Sequence, residues 1–169
     1  AYSNDVRLFG GDERLGGRVF ATWLLDRSDI GATGVETRFD GLTGLAPDSG
    51  APGMFPEFKA TANLTYSNGP FSAFLQGRYV GSGKRAHLIG GDEAVEGTNI
   101  ADNSVPAVLY LDTRLGYDFA IANTEAEVFL AVNNLLDKDP PVTGTFSGFT
   151  AYSGQVNTQL FDVLGRRFT

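Results

Sequence analysis

Apolar and polar residues alternate with a period of two along several stretches of this chain. The stretch Ala126 to Pro141, AEVFLAVNNLLDKDPP, is the one the rest is organised around. Val128, Leu130 and Val132 fall on one side of a pleat. Glu127, Phe129, Ala131 and Asn133 fall on the other. This predicts a strand with two unlike faces. The alternation stops at Asn133. Pro140 and Pro141 cannot donate to a ladder and disfavour helix before them. A strand therefore ends here and a long excursion begins. Glu57–Tyr66 sets Phe58, Ala60, Ala62, Leu64 and Tyr66 against Lys59, Thr61, Asn63 and Thr65. Ser67–Pro70 predicts a tight turn. Phe71–Gly81 returns with Phe71, Ala73, Leu75, Gly77 and Tyr79 against Ser72, Phe74, Gln76, Arg78 and Val80. Together these read as a hairpin.

Val108–Phe119 is another strand, with Leu109, Leu111, Leu115, Tyr117 and Phe119 opposing Tyr110, Asp112, Arg114 and Asp118. Arg18–Asp26 puts Val19, Ala21, Trp23 and Leu25 on one face. Tyr2–Phe9 alternates weakly, and Phe161–Thr169 looks like the opening of a further strand. Connections alternate in length: Gly10–Leu15 short, Ser28–Pro56 long, Ser67–Pro70 short, Ser82–Pro106 long, Ala120–Glu125 short, Leu135–Gly165 long. A short hairpin is expected within Gly34–Leu42. No stretch carries a sustained helical period. The chain is expected to be all-β, an antiparallel meander of about six to seven strands forming one unit over residues 1–169.

Alternation of this kind suits a soluble β-sandwich as well as a membrane barrel. Three features favour the barrel. The clear strands are about 9–11 residues long, enough to cross a bilayer at a tilt. Aromatics stand near both ends of the apolar face, as in interfacial girdles. Long and short connections alternate strictly, as extracellular loops and periplasmic turns do. In lipid only a closed barrel satisfies the backbone of such strands.

Composition narrows the partners. The 169 residues carry 13 basic and 20 acidic groups, a net charge of −7. With no basic stripe, nucleic acid is excluded as a main partner. There is no cysteine, hence no disulfide framework and no thiolate metal site. No apolar run approaches the roughly 18 residues of a spanning helix.

Asn134-Leu-Leu-Asp-Lys-Asp-Pro-Pro141, after a strand and ahead of Val163-Leu-Gly-Arg-Arg-Phe168, resembles the C-terminal end of TonB-dependent outer-membrane receptors. Pro56–Ser72 and Leu75–Lys84 are similar to consecutive late strands of those receptors, and Asp102–Pro106 with Tyr110–Asp112 to the entry of the next. The likeness runs from about Arg18 onward. It implies a barrel of about 22 strands around a plugged lumen. It also implies energised uptake of a siderophore, vitamin or oligosaccharide through the outer membrane, and no enzymatic activity. The family's plug and TonB-contacting segment have no counterpart in this sequence. The chain is therefore expected to be an internal fragment, with TonB contact made by an N-terminal region that is absent here. A sandwich that binds carbohydrate or protein and a passive porin-type barrel are the rival readings.

Candidate sites are few. Gly90-Gly-Asp-Glu93 resembles the signature of diguanylate cyclases. The same four letters recur at Gly10–Glu13 without nucleotide-binding context, and turn chemistry explains both. Asp92, Glu93, Glu96 and Asp102 could offer oxygen to calcium, but their spacing fits no EF-hand loop; a solvated acidic loop is the plainer reading. His87, the only histidine, has no Ser or Cys partner at a diagnostic spacing. No catalytic residue, metal site or cofactor is expected. Phe146, Phe149 and Tyr152, in a Gly/Ser/Thr-rich loop, are the candidate ligand contacts. Lys59, Arg78, Asp112, Arg114 and Glu127 are expected to face the lumen, as cross-strand pairs.

Overall fold

The computed structural model describes residues 2–6, 12–34, 36–44, 55–85, 103–142 and 156–169. Eleven strands follow one another: β1 (Tyr2–Val6), β2 (Glu13–Trp23), β3 (Ser28–Ile30), β4 (Glu36–Arg38), β5 (Phe58–Asn68), β6 (Phe71–Val80), β7 (Gly83–Lys84), β8 (Ser104–Val105), β9 (Val108–Ile121), β10 (Thr124–Asn133) and β11 (Arg167–Phe168). The described residues contain no helix. Seven strands form one open antiparallel sheet in the order β1-β2-β5-β6-β9-β10-β11. Every long strand pairs with the next long strand in sequence, so the sheet is a meander. The short turns lie at one end of it and the long connections at the other. The seventh strand is a two-residue stub, and both edges of the sheet are open.

Several boundaries differ from those read in the sequence. β2 begins at Glu13 and ends at Trp23, so Leu24, Leu25 and Asp26 lie beyond it. Its first half lacks alternation because Gly16 and Gly17 interrupt the pattern. Pairing with β5, from Glu13↔Asn68 to Trp23↔Phe58, carries the strand through them. The small hairpin expected within Gly34–Leu42 is built from β3 and β4 over Ser28–Arg38. Gly34 turns it rather than opening it, with φ of 77°. The second long connection carries the two-residue ladder β7–β8, which no period announces.

Pairing fixes which residues share a face. From β2 to β10 one face carries Leu15, Val19, Ala21 and Trp23, then Phe58 to Tyr66 by twos, Phe71 to Tyr79 by twos, Leu109 to Ile121 by twos, and Ala126 to Val132 by twos. No charged residue interrupts these rows. Trp23 is 72% exposed, Val128 58% and Leu130 49%. Most of this face is open, Val132 at the long-connection end of β10 being buried, and among the described residues no second sheet packs against it. The hydroxyl of Thr113, in the middle of the face, donates to the Phe74 carbonyl at 2.9 Å.

Aromatic rings border the apolar face at both ends. Near the long connections, Trp23 meets Phe58 at 5.8 Å and Phe58 meets Tyr79 at 5.9 Å. Near the short turns, Tyr66 meets Phe71 at 6.2 Å, and Phe71 is the register partner of Tyr117. Both rows run obliquely. Tyr79 stands opposite Ala60, two residues nearer the turns than Phe58. Phe71 stands opposite Asn68, two residues beyond Tyr66 in the same direction.

The buried core lies on the other face, at the long-connection end. Val80, Val105, Val108, Tyr110 and Phe161 pack together there, with Val156 and Leu160 against them. The third long connection thus folds back over the polar face.

β10 ends at Asn133, and the next residue, Asn134, has φ of 52° and is fully buried. Its side chain clamps the following turn. The Asn134 Nδ2 donates to the Lys138 carbonyl at 3.0 Å, and the Lys138 N–H donates to Asn134 Oδ1 at 2.9 Å. Asn tolerates the left-handed region better than most residues. We expect Asn134→Ala to cost about 2–3 kcal/mol, from two lost buried hydrogen bonds and the strained φ. Asn134→Gly removes the strain and should recover about 1 kcal/mol of it. Urea unfolding of the two variants separates the contributions; equal losses would mean that φ contributes nothing.

Candidate functional site

The five charged residues expected to share a face do so. Lys59, Arg78, Asp112, Arg114 and Glu127 all lie opposite the apolar rows. The pairing brings four of them into two clusters. Arg78 Nε donates to Asp112 Oδ2 at 2.8 Å, and its Nη2 reaches Oδ1 at 3.5 Å. Asp112 also accepts the N–H of Asn134 at 2.8 Å. The Arg78 guanidinium lies over the buried Tyr110 ring at 5.3 Å. On the second cluster, Arg114 Nη2 donates to Glu127 Oε1 at 2.6 Å and stacks over Phe129 at 4.6 Å. Gly116 makes this possible: a Cβ there would come within 2.6 Å of Glu127 Oε1. Lys59 joins neither cluster.

Two members of the network carry no signal in the alternation. Asp162 is almost buried and accepts a two-pronged contact from Arg167, Nη1 to Oδ1 at 2.9 Å and Nη2 to Oδ2 at 3.2 Å. Arg78 approaches its other side at 3.9 Å. Asp162 also caps its own turn by accepting the Leu164 N–H at 2.9 Å. An Asp two residues before the backbone N–H it accepts from is the local cue that could have pointed here. The hydrogen bond from Arg167 holds the Asp162 carboxyl below the usual carboxylate range, against the opposing effect of burial. A lowered folded pKa means that the contact stabilises fully above the unfolded value of about 3.9 and fades as pH falls through the folded value. The protection factors of the Asn157–Phe161 amides, taken relative to free-peptide exchange at each pH, should therefore stay high at neutral pH and fall only in acid, a step that Asp162→Asn abolishes. A segment still protected at the lowest pH would show that the carboxylate does not hold it.

The three long connections converge at one end. The Thr43 N–H donates to the Lys84 carbonyl at 3.0 Å and the Lys84 N–H to Gly41 at 2.8 Å, which joins the first connection to the second. Asn157, from the third, is fully buried and donates from Nδ2 to the carbonyls of Thr43 at 3.2 Å and Gly44 at 3.3 Å. This convergence is long-range and invisible to any local period.

Phe146, Phe149 and Tyr152 lie outside the described residues, as do His87, Asp92, Glu93, Glu96 and Asp102. Among the described residues, no group of three His, Cys, Asp or Glu side chains is arranged to hold a metal ion. No helix of the described residues is long and apolar enough to cross a membrane. What the site offers chemically is paired charge, amide and hydroxyl donors, and aromatic platforms. No family model, curated protein or solved structure matches the chain.

Proposed function

We propose that this chain is part of the wall of an outer-membrane β-barrel receptor of the TonB-dependent kind, one that takes up a scarce nutrient from outside the cell. The observation that carries the reading is the charge-free apolar face bounded by two oblique aromatic rows. Phe58 and Tyr66 stand about 26 Å apart along β5 at ~3.3 Å per residue. That is comparable to the ~25 Å apolar band of outer-membrane barrels once tilt and ring reach are included. Exposed apolar area on this scale exceeds what soluble monomers tolerate. The slant of the rows averages one residue per strand: Trp23 is level with Phe58 and Phe71 with Tyr117, with a two-residue step from β5 to β6. Such a slant is what tilted strands require for their aromatics to stay level in a membrane. One residue per strand corresponds to ~35° from the ~3.3 Å rise and ~4.8 Å spacing, within the tilt typical of barrels. The polar face would line the lumen, and the long connections would meet the nutrient outside.

The single tryptophan makes a direct test. With the full chain in vesicles of brominated lipid, Trp23 should be quenched best by bromines near the headgroups. In a Trp23→Phe background, Leu130→Trp should be quenched best by bromines deep in the chains. Quenching of both positions by aqueous iodide, with none by lipid, would overturn the reading.

A further inference from the structure

Cations on the polar face follow a rule. Arg78, Arg114 and Arg167 each hold a carboxylate, at 2.8, 2.6 and 2.9 Å. Among the described residues, Arg18 on β2 and Lys59 on β5 form no ion pair. They are near neighbours. Arg18 stands opposite Asn63 and Lys59 opposite Thr22, with the pair Phe20 and Thr61 between them. Their backbones are about 14 Å apart from the ~3.3 Å rise and ~4.8 Å strand spacing, a gap that two long side chains can close on one small molecule. No acid lies on this face of β2, β5 or β6. The carboxylates of the sheet's polar face are Asp112, Asp118, Glu125 and Glu127 on β9 and β10, and Asp5 on β1, which stands opposite Arg14 near the short-turn end. A chain with net charge −7 thus keeps the polar face of three adjacent strands, β2, β5 and β6, free of carboxylates.

The remaining groups are also suited to donate. Gln76 Nε2 donates to Asn63 Oδ1 at 2.9 Å, which occupies the acceptor of Asn63 and leaves its NH₂ to offer. Thr61 and Thr22 add hydroxyls. The Arg18 guanidinium lies over the Phe20 ring at 5.7 Å, which limits its orientations. A compact set of donors with no competing carboxylate is what an oxyanion needs, and guanidinium suits planar carboxylate or phosphate edges.

We propose that this half-face binds the carboxylate or phosphate groups of a small polyanion, held between Arg18 and Lys59 beside Phe20. The proposal rests on reading the polar face as the barrel interior and narrows the nutrient to an anionic class. The test uses the full chain in lipid vesicles, with citrate and inorganic pyrophosphate as probes and maltotriose as a neutral control. Calorimetric titration should show the two anions binding, more weakly as salt rises, and maltotriose failing to bind. Arg18→Gln and Lys59→Gln should each weaken citrate at least tenfold. Lys59→Arg should restore most of it, and Arg166→Gln, a charge loss beside β11, four strands away from β5 in the sheet order, should change nothing. Trp23 quenching in the same samples reports insertion independently. An inserted chain that ignores citrate, binds it equally well without Arg18 and Lys59, or takes only an acidic peptide, overturns the anion site. Citrate binding with Trp23 outside lipid overturns the membrane reading alone.

Discussion

Leu130→Arg should destabilise the folded chain in a bilayer by about 2–4 kcal/mol, the cost of a cation at the midplane of a barrel's lipid face. Leu130 is suited to this test for three reasons. It pairs with Leu115 in the apolar rows. It is half exposed, so in water an arginine would be tolerated with little change. And following the slanted aromatic rows across to β10 puts it midway between their levels, near Ala126 and Asn134. The same substitution therefore has opposite expectations in the two solvents. Urea unfolding in vesicles and heat-resistant migration on gels both read it. A variant that folds in bilayers as well as the parent would remove the lipid from this face.

The second large effect is expected on the opposite face. Asp112→Ala should cost about 3 kcal/mol, because it strips the Arg78 guanidinium and the Asn134 N–H of a shared, nearly buried acceptor. Asp112→Asn keeps an acceptor for Asn134 and should cost less. Arg78 retains only the longer approach to Asp162. In a double-mutant cycle, Arg78→Ala and Asp112→Ala should fall short of additivity by about 1 kcal/mol or more. Additive losses would mean that the two side chains do not stabilise one another.

The strands that could be read from sequence are those whose two faces differ in chemistry. β5, β6, β9 and β10 alternate through their whole length, so their faces and pairing partners were legible. β2 was half legible: Val19, Ala21 and Trp23 announce it, but Glu13–Gly17 become strand only because β5 offers a ladder. β3, β4, β7 and β8 arise from contacts within and between connections, where no periodic pattern is required. The site divides the same way. Lys59, Arg78, Asp112, Arg114 and Glu127 were legible as one face, since alternation alone decides that. Their partners were not. Asp162 and Asn157 sit in an irregular segment and act on residues far away in sequence, Asn157 reaching Thr43 across 114 positions. Asn133 was visible as the end of a strand, but Asn134 was not visible as the clamp that follows it.

The meeting of Thr43, Lys84 and Asn157 has a mechanical consequence. Three connections that leave the sheet at different strands are cross-tied, the first to the second by backbone hydrogen bonds of Gly41, Thr43 and Gly44 with Lys84, and the first to the third by the Asn157 carboxamide on the Thr43 and Gly44 carbonyls. Among the described residues, a pull on Thr43, Lys84 or Asn157 is therefore shared by all three segments instead of being borne by one strand end alone.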